Sequence, residues 1–480
     1  MNNMALNTAR SITAAYAVCR RLGLWDALGA GFDGVVDDIA VDKQGRVWFV
    51  GSFTTAGGVT VNRITWWDGT TFHAIGGGTK GADGRVRAIV VDVNGEDVIF
   101  TGDFANVAGS AYARICKYDF SAGTFSGYGT GLNDSGYALC ITRAGVLIVG
   151  GAFTTANGVT VNRLAYWTGA TFGTYAEGGV TGMNGAVYAL AESVAGWIVV
   201  GGAFTTGGDD TVNYCAYWTD TTHVYAMGDT PGVDGDVYTI EITRSDEWYL
   251  GGAFTTADGT TCNYIALFNS GGFSILTTGL DAAVYRLAYN PADRRLWVGG
   301  DFTKAGSNTA MTYLGTWSGT AWSHVDIDLP SDFTVTAIAF DGERVYIGGD
   351  DSGTGQTADD TTLTSLGTVG APPIFTITRS GGTSAVIESF VNTTHGKRLV
   401  LRYALADGET VTINLETRKM TSDAFGEIIG NIFADSDVAS WLVQRGKNVV
   451  AAFVSTAGAP TVTAYAQWRD YYRSIDGAAA

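Results

Sequence analysis

The sequence predicts an all-β protein, in which a seven-bladed β-propeller closed by an N-terminal strand is followed by a β-sandwich. Three observations lead to this prediction. A phenylalanine motif recurs about every 50 residues. The chain contains 67 glycines but only 6 prolines among 480 residues, together with 12% aromatic residues, which is typical of short strands joined by tight turns. Near residue 370 the repeat stops and the charge balance changes.

Each repeat carries four strand-like segments separated by glycine-bearing turns. In the first repeat these segments are residues 35–42, 46–53, 62–69 and 71–76, with DKQG, TTAGG and DG between them. Four short antiparallel strands repeated at this spacing are typical of a propeller blade. The phenylalanine of the motif lies at Phe53, Phe104, Phe153, Phe204, Phe254 and Phe302.

Seven segments resemble the first strand of the repeat, and the seventh copy stops short at Tyr346–Asp350. We expect its second strand at 344–349 and its third at 362–369, with no fourth strand before Pro372. Residues 23–42 align with 70–92, so we expect Leu24–Leu28 to supply the missing strand and close the ring without an exposed edge. The predicted division is an N-terminal extension over 1–22, a propeller over 23–370 and a β-sandwich over 371–480.

The repeat resembles bacterial kelch-like β-propeller repeats with a consensus near VGGxFTTAGGxxxNxIAxWDG. The resemblance covers residues 23–370 and implies the fold. It does not specify a function, because propellers support enzymes, adhesins and interaction platforms alike.

The region after residue 370 has a different charge balance. Residues 371–480 contain ten Lys/Arg and ten Asp/Glu, so the formal charge of −18 lies within residues 1–370. Alternating segments such as SAVIESFVN and KRLVLRYAL predict a β-sandwich. An acidic propeller would repel phosphate backbones, so no specific nucleic-acid binding is expected.

This region resembles the C-terminal β-sandwich of distal tail proteins of long-tailed bacteriophages. The matching blocks are residues 405–421, with Gly408 in an expected hairpin turn, 436–450 and 466–476. Arg445-Gly446-Lys447-Asn448 stands where the family has Pro-Gly-x-Asn. Such proteins form a ring at the tail tip that bridges the tail tube and the adsorption apparatus, and they often carry inserted or appended carbohydrate-binding modules.

The resemblance implies a structural virion protein of a phage tail, at the tail tip, the baseplate or another tail-associated position. The sandwich would anchor the protein, and the propeller would serve host adsorption or architecture. The implied partners are other tail proteins and a host surface glycan, with a trimeric or hexameric ring as the assembly. The N-terminus has neither the apolar core nor the cleavage site of a signal peptide, and no apolar stretch is long enough for a membrane helix, so we expect synthesis in the host cytoplasm without membrane insertion. The alternative is a secreted or cell-surface bacterial propeller that binds polysaccharide.

Residues that could carry chemistry are few. The chain lacks GxSxG, HExxH and GxxxxGK[ST] motifs, and its acidic turns at 92–97 and 207–210 fit β-turns better than calcium loops. We therefore predict no enzyme, no cofactor, and no catalytic or metal-binding residue, and we leave the ligand-binding residues unassigned. Three of the four histidines fall in or beside fourth strands of different blades, where they should not converge; the four are His73, His223, His324 and His395.

Three further groups of residues are expected to have mainly structural roles. Cys116, Cys140, Cys215 and Cys262 replace apolar residues or threonine of other repeats, so we expect core thiols. Asn162 is expected to tie the glycine-bearing turn to the third strand. Paired aromatic positions in third strands should pack between blades, although stacking on sugars stays open; these pairs are Trp66-Trp67, Tyr166-Trp167, Tyr217-Trp218 and Leu267-Phe268.

Overall fold

The computed structural model divides the chain into two compact units. One unit comprises Ala14–Asp351, and the other combines Met1–Thr13 with Ser352–Ala480. The larger unit is therefore inserted in the sequence of the smaller one, which differs from the division at residues 22 and 370 expected from sequence. The structure describes residues 2–6, 17–21, 24–28, 31–76, 81–229, 232–269, 272–306, 309–325, 327, 329, 333–342, 344–351, 357–365, 374–380, 384–392, 397–414, 419–424, 426–427, 446–457 and 461–468.

Six repeats each form a four-stranded antiparallel sheet, numbered here as blades 1 to 6 in chain order. The first strands are Val36–Val41, Val86–Val91, Gly136–Ile141, Val187–Glu192, Val237–Ile242 and Val284–Asn290. The second strands are Val47–Gly51, Val98–Gly102, Leu147–Gly151, Ile198–Gly202, Trp248–Gly252 and Arg295–Gly300. The third strands are Ile64–Trp67, Ile115–Asp119, Leu164–Trp167, Cys215–Trp218, Ile265–Asn269 and Leu314–Trp317. The fourth strands are Phe72–Ala74, Thr124–Gly127, Phe172–Thr174, Val224–Ala226, Gly272–Ile275 and Trp322–His324.

A two-stranded hairpin links the second and third strands of every blade. These hairpins are Thr55–Ala56 with Val59–Thr60, Asn106–Val107 with Ser110–Ala111, Thr155–Ala156 with Val159–Thr160, Thr206–Gly207 with Asp210–Thr211, Thr256–Ala257 with Thr260–Thr261, and Lys304–Ala305 with Thr309–Ala310. One more hairpin, Ala176–Glu177 with Val180–Thr181, lies between blades 3 and 4.

The second strand is the centre of each blade. In blade 1, all five residues of Val47–Gly51 are buried, because neighbouring blades cover both faces. Gly51 must be glycine, since a Cβ there would lie 1.9 Å from the carbonyl oxygen of Val35. Phe53 and its five counterparts in the other repeats are all fully buried, so the recurring phenylalanine belongs to the core.

The predicted seven-bladed propeller is wrong: the repeat builds a six-bladed propeller. The chain after blade 6 does not form a seventh copy. Phe333–Asp341 and Arg344–Asp351 instead join Ala17–Arg21 and Leu24–Ala27 in a composite sheet, called here the closing sheet. Its strand Phe333–Asp341 lies between the first strands of blades 6 and 1.

Two strands of the closing sheet therefore come from each end of the propeller unit. Ala17–Arg21 pairs with Arg344–Asp351, with Ala17 opposite Gly348, and Leu24–Ala27 pairs with Ala17–Arg21. Residues 362–365, the described part of the segment expected as a third strand, do not contribute; residues 366–369 lie outside the described residues. Thr357–Ser365 instead pairs with Gly446–Ala457 in the smaller unit. The physical reason is that the seventh copy lacks the FTT turn and the NxIAxW segment, so it supplies only the two innermost strands.

The smaller unit contains two antiparallel sheets. One has the strand order Asn2–Leu6, Thr461–Trp468, Ile374–Ser380, Thr410–Asn414, Lys419–Ser422 and Gly426–Glu427. The other has the order Thr357–Ser365, Gly446–Ala457, Ser384–Asn392 and Lys397–Leu405.

Gly408 lies in a turn with φ 79°, but this turn is not the expected hairpin. The strands on either side of Gly408 belong to different sheets, so the turn crosses from one sheet to the other. The following residue, Glu409, is buried, and its carboxylate accepts a hydrogen bond from the backbone N–H of Ala406 at 2.6 Å. Among the described residues, no helix is long and apolar enough to cross a membrane.

An acidic or amide side chain fixes the FTT turn in each blade. In blade 5, Asp234 accepts hydrogen bonds from the backbone N–H groups of Thr255 and Thr256 at 2.6 and 2.8 Å, and from the Thr255 hydroxyl at 2.7 Å. Partial burial opposes ionisation of Asp234, but these hydrogen bonds outweigh it and lower its pKa. In blade 4 the amide of Asn184 accepts the two equivalent N–H bonds. The threonines therefore stabilise the turn.

Replacing Asp234 with alanine should lower the free energy of unfolding by about 1 kcal/mol, because two backbone donors lose their acceptor. Asp234→Asn should stay within about 0.5 kcal/mol of the unaltered protein, since asparagine fills this position naturally in blade 4. Urea unfolding midpoints of the two variants provide the measurement. Equal midpoints for both variants would show that the turn does not need this acceptor.

Candidate ligand site at the propeller axis

The first strands of successive blades contact one another around the ring, so they line the propeller axis. Each of them contains a β-bulge at its second residue. In blade 4, for example, Val187 pairs with Gly202 and Ala189 pairs with Gly201, and Tyr188 is left out of the register. Bulges redirect a side chain, and they are common next to functional sites. The bulged residues are Asp37, Arg87, Tyr137, Tyr188, Tyr238 and Tyr285, with Thr336 in the closing sheet.

Four consecutive bulges carry tyrosine, and their rings meet across blade boundaries. The ring centroids are 5.5 Å apart for Tyr137 and Tyr188, 5.9 Å for Tyr188 and Tyr238, and 5.4 Å for Tyr238 and Tyr285. All four are half-buried. These residues, called here the axial tyrosine row, form a continuous aromatic surface on one side of the axis.

The other side of the axis carries paired charges. The Arg85 guanidinium donates to Asp37, with Nε 2.7 Å from Oδ2. Arg87 pairs with Asp103, with Nη2 2.8 Å from Oδ2. The Arg87 guanidinium carbon also lies 5.1 Å from the centroid of the Tyr137 ring. The row therefore ends at one side in a cation–π contact made within the chain.

Carboxylates perturb the tyrosine row itself. Burial raises the pKa of Asp236, and no other group adds to or offsets that shift. Burial and then the Asp236 charge raise the pKa values of Tyr188 and Tyr238, so this carboxylate is close to both rings. At the end of the row, burial and the neighbouring Asp301 raise the pKa of Tyr285 to about 12. Tyr188, Tyr238 and Tyr285 are therefore neutral at physiological pH.

A second layer of polar groups joins blade 6 to blade 1. The Arg286 side chain of blade 6 pairs with Asp38 of blade 1, with Nη2 2.8 Å from Oδ1. Asp38 is buried and also accepts from the backbone N–H groups of Ile39 and Ile89 at 3.0 and 3.1 Å. Because the closing sheet lies between these two blades, the ion pair spans the place where the ring closes.

Glu241 of blade 5 should make stability pH-dependent. Burial raises its pKa to about 7, against the opposing effects of the Tyr289 backbone N–H and of Arg286. The folded state thus binds this proton more tightly than the unfolded chain does. The resulting stability is fully present below the unfolded pKa of 4.5 and is lost as pH rises through about 7.

Between pH 5 and 8, this carboxyl should lower the free energy of unfolding by on the order of 2 kcal/mol. Glu241→Gln should remove that component, so the variant should gain stability over the unaltered protein at pH 8 and match it at pH 4. Thermal melts across this pH range provide the measurement. Parallel curves for the two proteins would contradict the assignment to Glu241.

The residues singled out from sequence do not converge. His73 and His324 lie in the fourth strands of blades 1 and 6, and His223 immediately precedes that of blade 4. His395 lies outside the described residues. No group of three or more His, Cys, Asp or Glu side chains suited to a metal ion occurs in the described part of the chain. In the turn at 92–97, the Lys117 ammonium forms ion pairs with Asp92 and Asp97, with Nζ–Oδ2 distances of 2.5 and 3.0 Å.

The structural roles expected from sequence are found, with one change. Cys116, Cys140, Cys215 and Cys262 are free thiols, and all but the half-buried Cys140 are buried. Trp66 packs against Phe120 of the next blade, with ring centroids 5.4 Å apart, as expected for inter-blade packing. Asn162 has φ 44° and donates to Thr181, with its amide nitrogen 2.6 Å from Oγ1. It therefore ties the turn to the connection between blades 3 and 4 and not to the third strand.

The sequence alone did not reveal the axial row, because the paired aromatic residues of the third strands are the more conspicuous aromatic pattern. The signal was present, since tyrosine occupies the second position of the first strand in four consecutive repeats. Strict alternation assigns that position to an ordinary sheet face. The bulge that turns it toward the axis depends on pairing with the second strand.

Comparisons with known proteins address the fold. The sequence model of the Rax2 C-terminal beta propeller domain family matches residues 167–341. The chain contains a β-propeller domain. Among solved structures, the WD40 beta propeller domain of Doa1 is similar at 15% identity with a TM-score of 0.44, covering 72% of this chain and 95% of that one. The extracellular domain of the proposed one component system BT4673 from B. thetaiotaomicron is similar at 11% identity with a TM-score of 0.40, covering 81% of this chain and 54% of that one. No curated protein matches.

Proposed function

We propose that the protein is a structural component of a bacteriophage tail, located at the tail tip or baseplate or otherwise tail-associated. The smaller unit anchors it in the assembly, and the propeller is displayed for host adsorption or architectural support. The observation that carries this proposal is the insertion of the propeller unit between residues 13 and 352 of the other unit. Distal tail proteins, which the C-terminal sequence resembles, often carry inserted modules in this way.

The two units also differ in net charge, in the way expected if the smaller unit is the anchor and the propeller is the displayed module. Residues 1–13 and 352–480 together carry eleven Lys/Arg and twelve Asp/Glu, a net charge of −1, so 17 of the 18 excess negative charges lie in residues 14–351. A neutral surface avoids long-range repulsion between copies in a ring, and an acidic module stays soluble and does not retain nucleic acid. The assignment of the propeller repeats to the kelch-like type is also part of this proposal.

The partners under this proposal are the tail tube and the other proteins of the tail tip or baseplate, with a host surface glycan as the adsorption target. The protein itself assembles as a trimer or hexamer. Native mass measurement of the purified chain tests the assembly state. A monomer at micromolar concentration, in the absence of other tail proteins, would contradict self-assembly into a ring.

Immunogold electron microscopy tests the proposed location. An antibody raised against the propeller should label phage particles at one end of the tail. A second antibody against residues 371–480 should label the same end and serves as the internal control. Labelling of bacterial envelopes by both antibodies, without labelled particles, would refute the phage assignment.

One observation favours the second candidate, a secreted or cell-surface propeller that binds polysaccharide. On blade 4, the rings of Trp197, Tyr217 and Tyr225 stack in series, with centroids 5.2 and 5.4 Å apart. The Tyr225 residue at the end of this series is 46% exposed. An exposed aromatic surface can stack on sugar rings. Retention of the protein by polysaccharide gels, abolished in Tyr225→Ala, would support this candidate.

A further inference from the structure

We propose that the axial tyrosine row binds a cationic group of the alkylammonium class, with Asp236 as the counter-charge. The inference concerns the propeller alone and does not depend on the proposed phage function. Its basis is the combination of aromatic rings, an unpaired carboxylate and an internal cation that already occupies one end of the row.

The residue types beside the start of the first strand differ between three of the blades that carry the tyrosines and the other blades. In every blade, the residue before the recurring phenylalanine lies beside the start of the first strand; in blade 5, for example, the Ala253 N–H donates to the Asp236 carbonyl oxygen at 2.9 Å. This position is alanine in blades 3, 4 and 5, where three of the four tyrosines lie. In blades 2 and 6 it is Asp103 and Asp301, each of which has a partner.

The Arg87 contact shows that this row accepts a cation. The guanidinium carbon is 5.1 Å from the Tyr137 ring centroid, within the ~6 Å range of cation–π attraction. Asp103 holds the other side of the same guanidinium. A cation that bridges a tyrosine ring and a carboxylate is therefore already part of this surface, and the next two blades carry a counterpart with tyrosine rings and a carboxylate of their own.

That counterpart consists of Tyr188, Tyr238 and Asp236. Within the described residues, no Lys or Arg pairs with Asp236, and no guanidinium or ammonium lies over either ring. The carboxylate is half-buried, and its charge contributes to the raised pKa values of both tyrosines. A bound cation would neutralise this charge while contacting the rings, which a neutral sugar cannot do. An anion would be repelled.

Choline is a suitable probe, because its uncharged isostere 3,3-dimethylbutan-1-ol has the same shape without the charge. Isothermal titration and tyrosine-region NMR shifts should show choline binding to the full-length protein with a Kd in the micromolar to millimolar range. The isostere should bind at least about tenfold more weakly. Equal affinity for the two compounds would overturn the proposal in favour of a purely apolar surface.

Three variants locate the site. Asp236→Asn and Tyr238→Leu should each weaken choline binding about tenfold or more, whereas Tyr238→Phe should retain it within about threefold because the ring is kept. Tyr225→Ala, at the exposed tyrosine of blade 4, should bind as the unaltered protein does. Thermal melts establish that each variant is folded. Unchanged choline binding in both Asp236→Asn and Tyr238→Leu would refute the site. The site would also be refuted if the unaltered protein bound no choline at concentrations 100-fold above the Kd range stated for it.

Discussion

Replacing residues 17–27 with a glycine–serine segment of equal length should lower the melting temperature of the propeller by on the order of 10 °C. This change removes Ala17–Arg21 and Leu24–Ala27 from the closing sheet and leaves Arg344–Asp351 with an unpaired edge. The paired register extends over four residues, from Ala17 opposite Gly348 to Arg20 opposite Val345. Each lost ladder hydrogen bond should lower the free energy of unfolding by roughly 1 kcal/mol. For a large domain, each kcal/mol lowers the melting temperature by roughly 2–4 °C, which gives the expected shift.

Hydrogen exchange followed by mass spectrometry measures this effect where it should occur. Protection should fall first in Arg344–Asp351 and in Phe333–Asp341, and only later in blades 2 to 5. Replacing residues 2–6 by the same kind of segment is the matched control, because that strand pairs with Thr461–Trp468 in the other unit. Native-like protection of Arg344–Asp351 after the loss of residues 17–27 would show that the N-terminal strands do not close the propeller.

Trp48→Ala should be among the most destabilising single substitutions in the propeller, at about 3–5 kcal/mol. The Trp48 side chain is fully buried in the second strand of blade 1. Its ring lies 6.3 Å from Phe100 and 6.0 Å from Tyr118 of blade 2, so a cavity there would separate two blades. Its indole N–H also donates to the buried carboxylate of Asp42 at 3.0 Å.

Trp48→Phe separates packing from hydrogen bonding. It keeps most of the ring volume, so its cost should be only about 1–2 kcal/mol, from the lost indole donor to Asp42 and the small remaining void. Tyr225→Ala, a large-to-small change at an exposed site, should cost less than about 1 kcal/mol. Denaturant unfolding with unchanged slopes provides the comparison. Similar midpoints for Trp48→Ala and Tyr225→Ala would contradict this role of Trp48.

The sequence was informative wherever one residue type had to serve the same physical purpose in every repeat. Phe53 and its counterparts fill an equivalent buried position, and Gly51 permits a close backbone contact, so both recur and reveal the period. The order of strands within blades 1 to 6 followed from that period and from the glycine-bearing turns. These features depend on local sequence, which a repeat displays several times over.

The sequence was misleading where strands pair across long separations. Thr357–Ser365 alternates in a way that suits any half-exposed sheet edge, and alternation alone does not select a partner. Ala17–Arg21 carries none of the repeat's glycines or aromatic residues, so nothing local identified it as the third strand of the closing sheet. The partner of Thr357–Ser365 lies about 80–100 residues further along the chain, at residues 446–454. The partner of Ala17–Arg21 lies more than 300 residues away, at residues 345–348.

The axial site was unpredictable for a different reason. The direction of the Tyr188 side chain is set by a bulge, which is a property of two paired strands and not of the segment VYAL. The pairing of Arg286 with Asp38 likewise joins residues of non-consecutive blades, which become neighbours only when the ring closes. Polar residues within first strands were nevertheless a usable signal, since apolar side chains would suffice for a purely structural axis.

The antiparallel pairing of Ala17 with Gly348 makes the chain's entry into and exit from the propeller unit immediate neighbours. A module whose two ends are adjacent can be exchanged for another by recombination at two points in the gene, without changing the distance that the rest of the chain must span. Joining residues 13 and 352 directly would excise the propeller in a single step. Under this arrangement, the inserted propeller can diversify while the other unit retains its sequence.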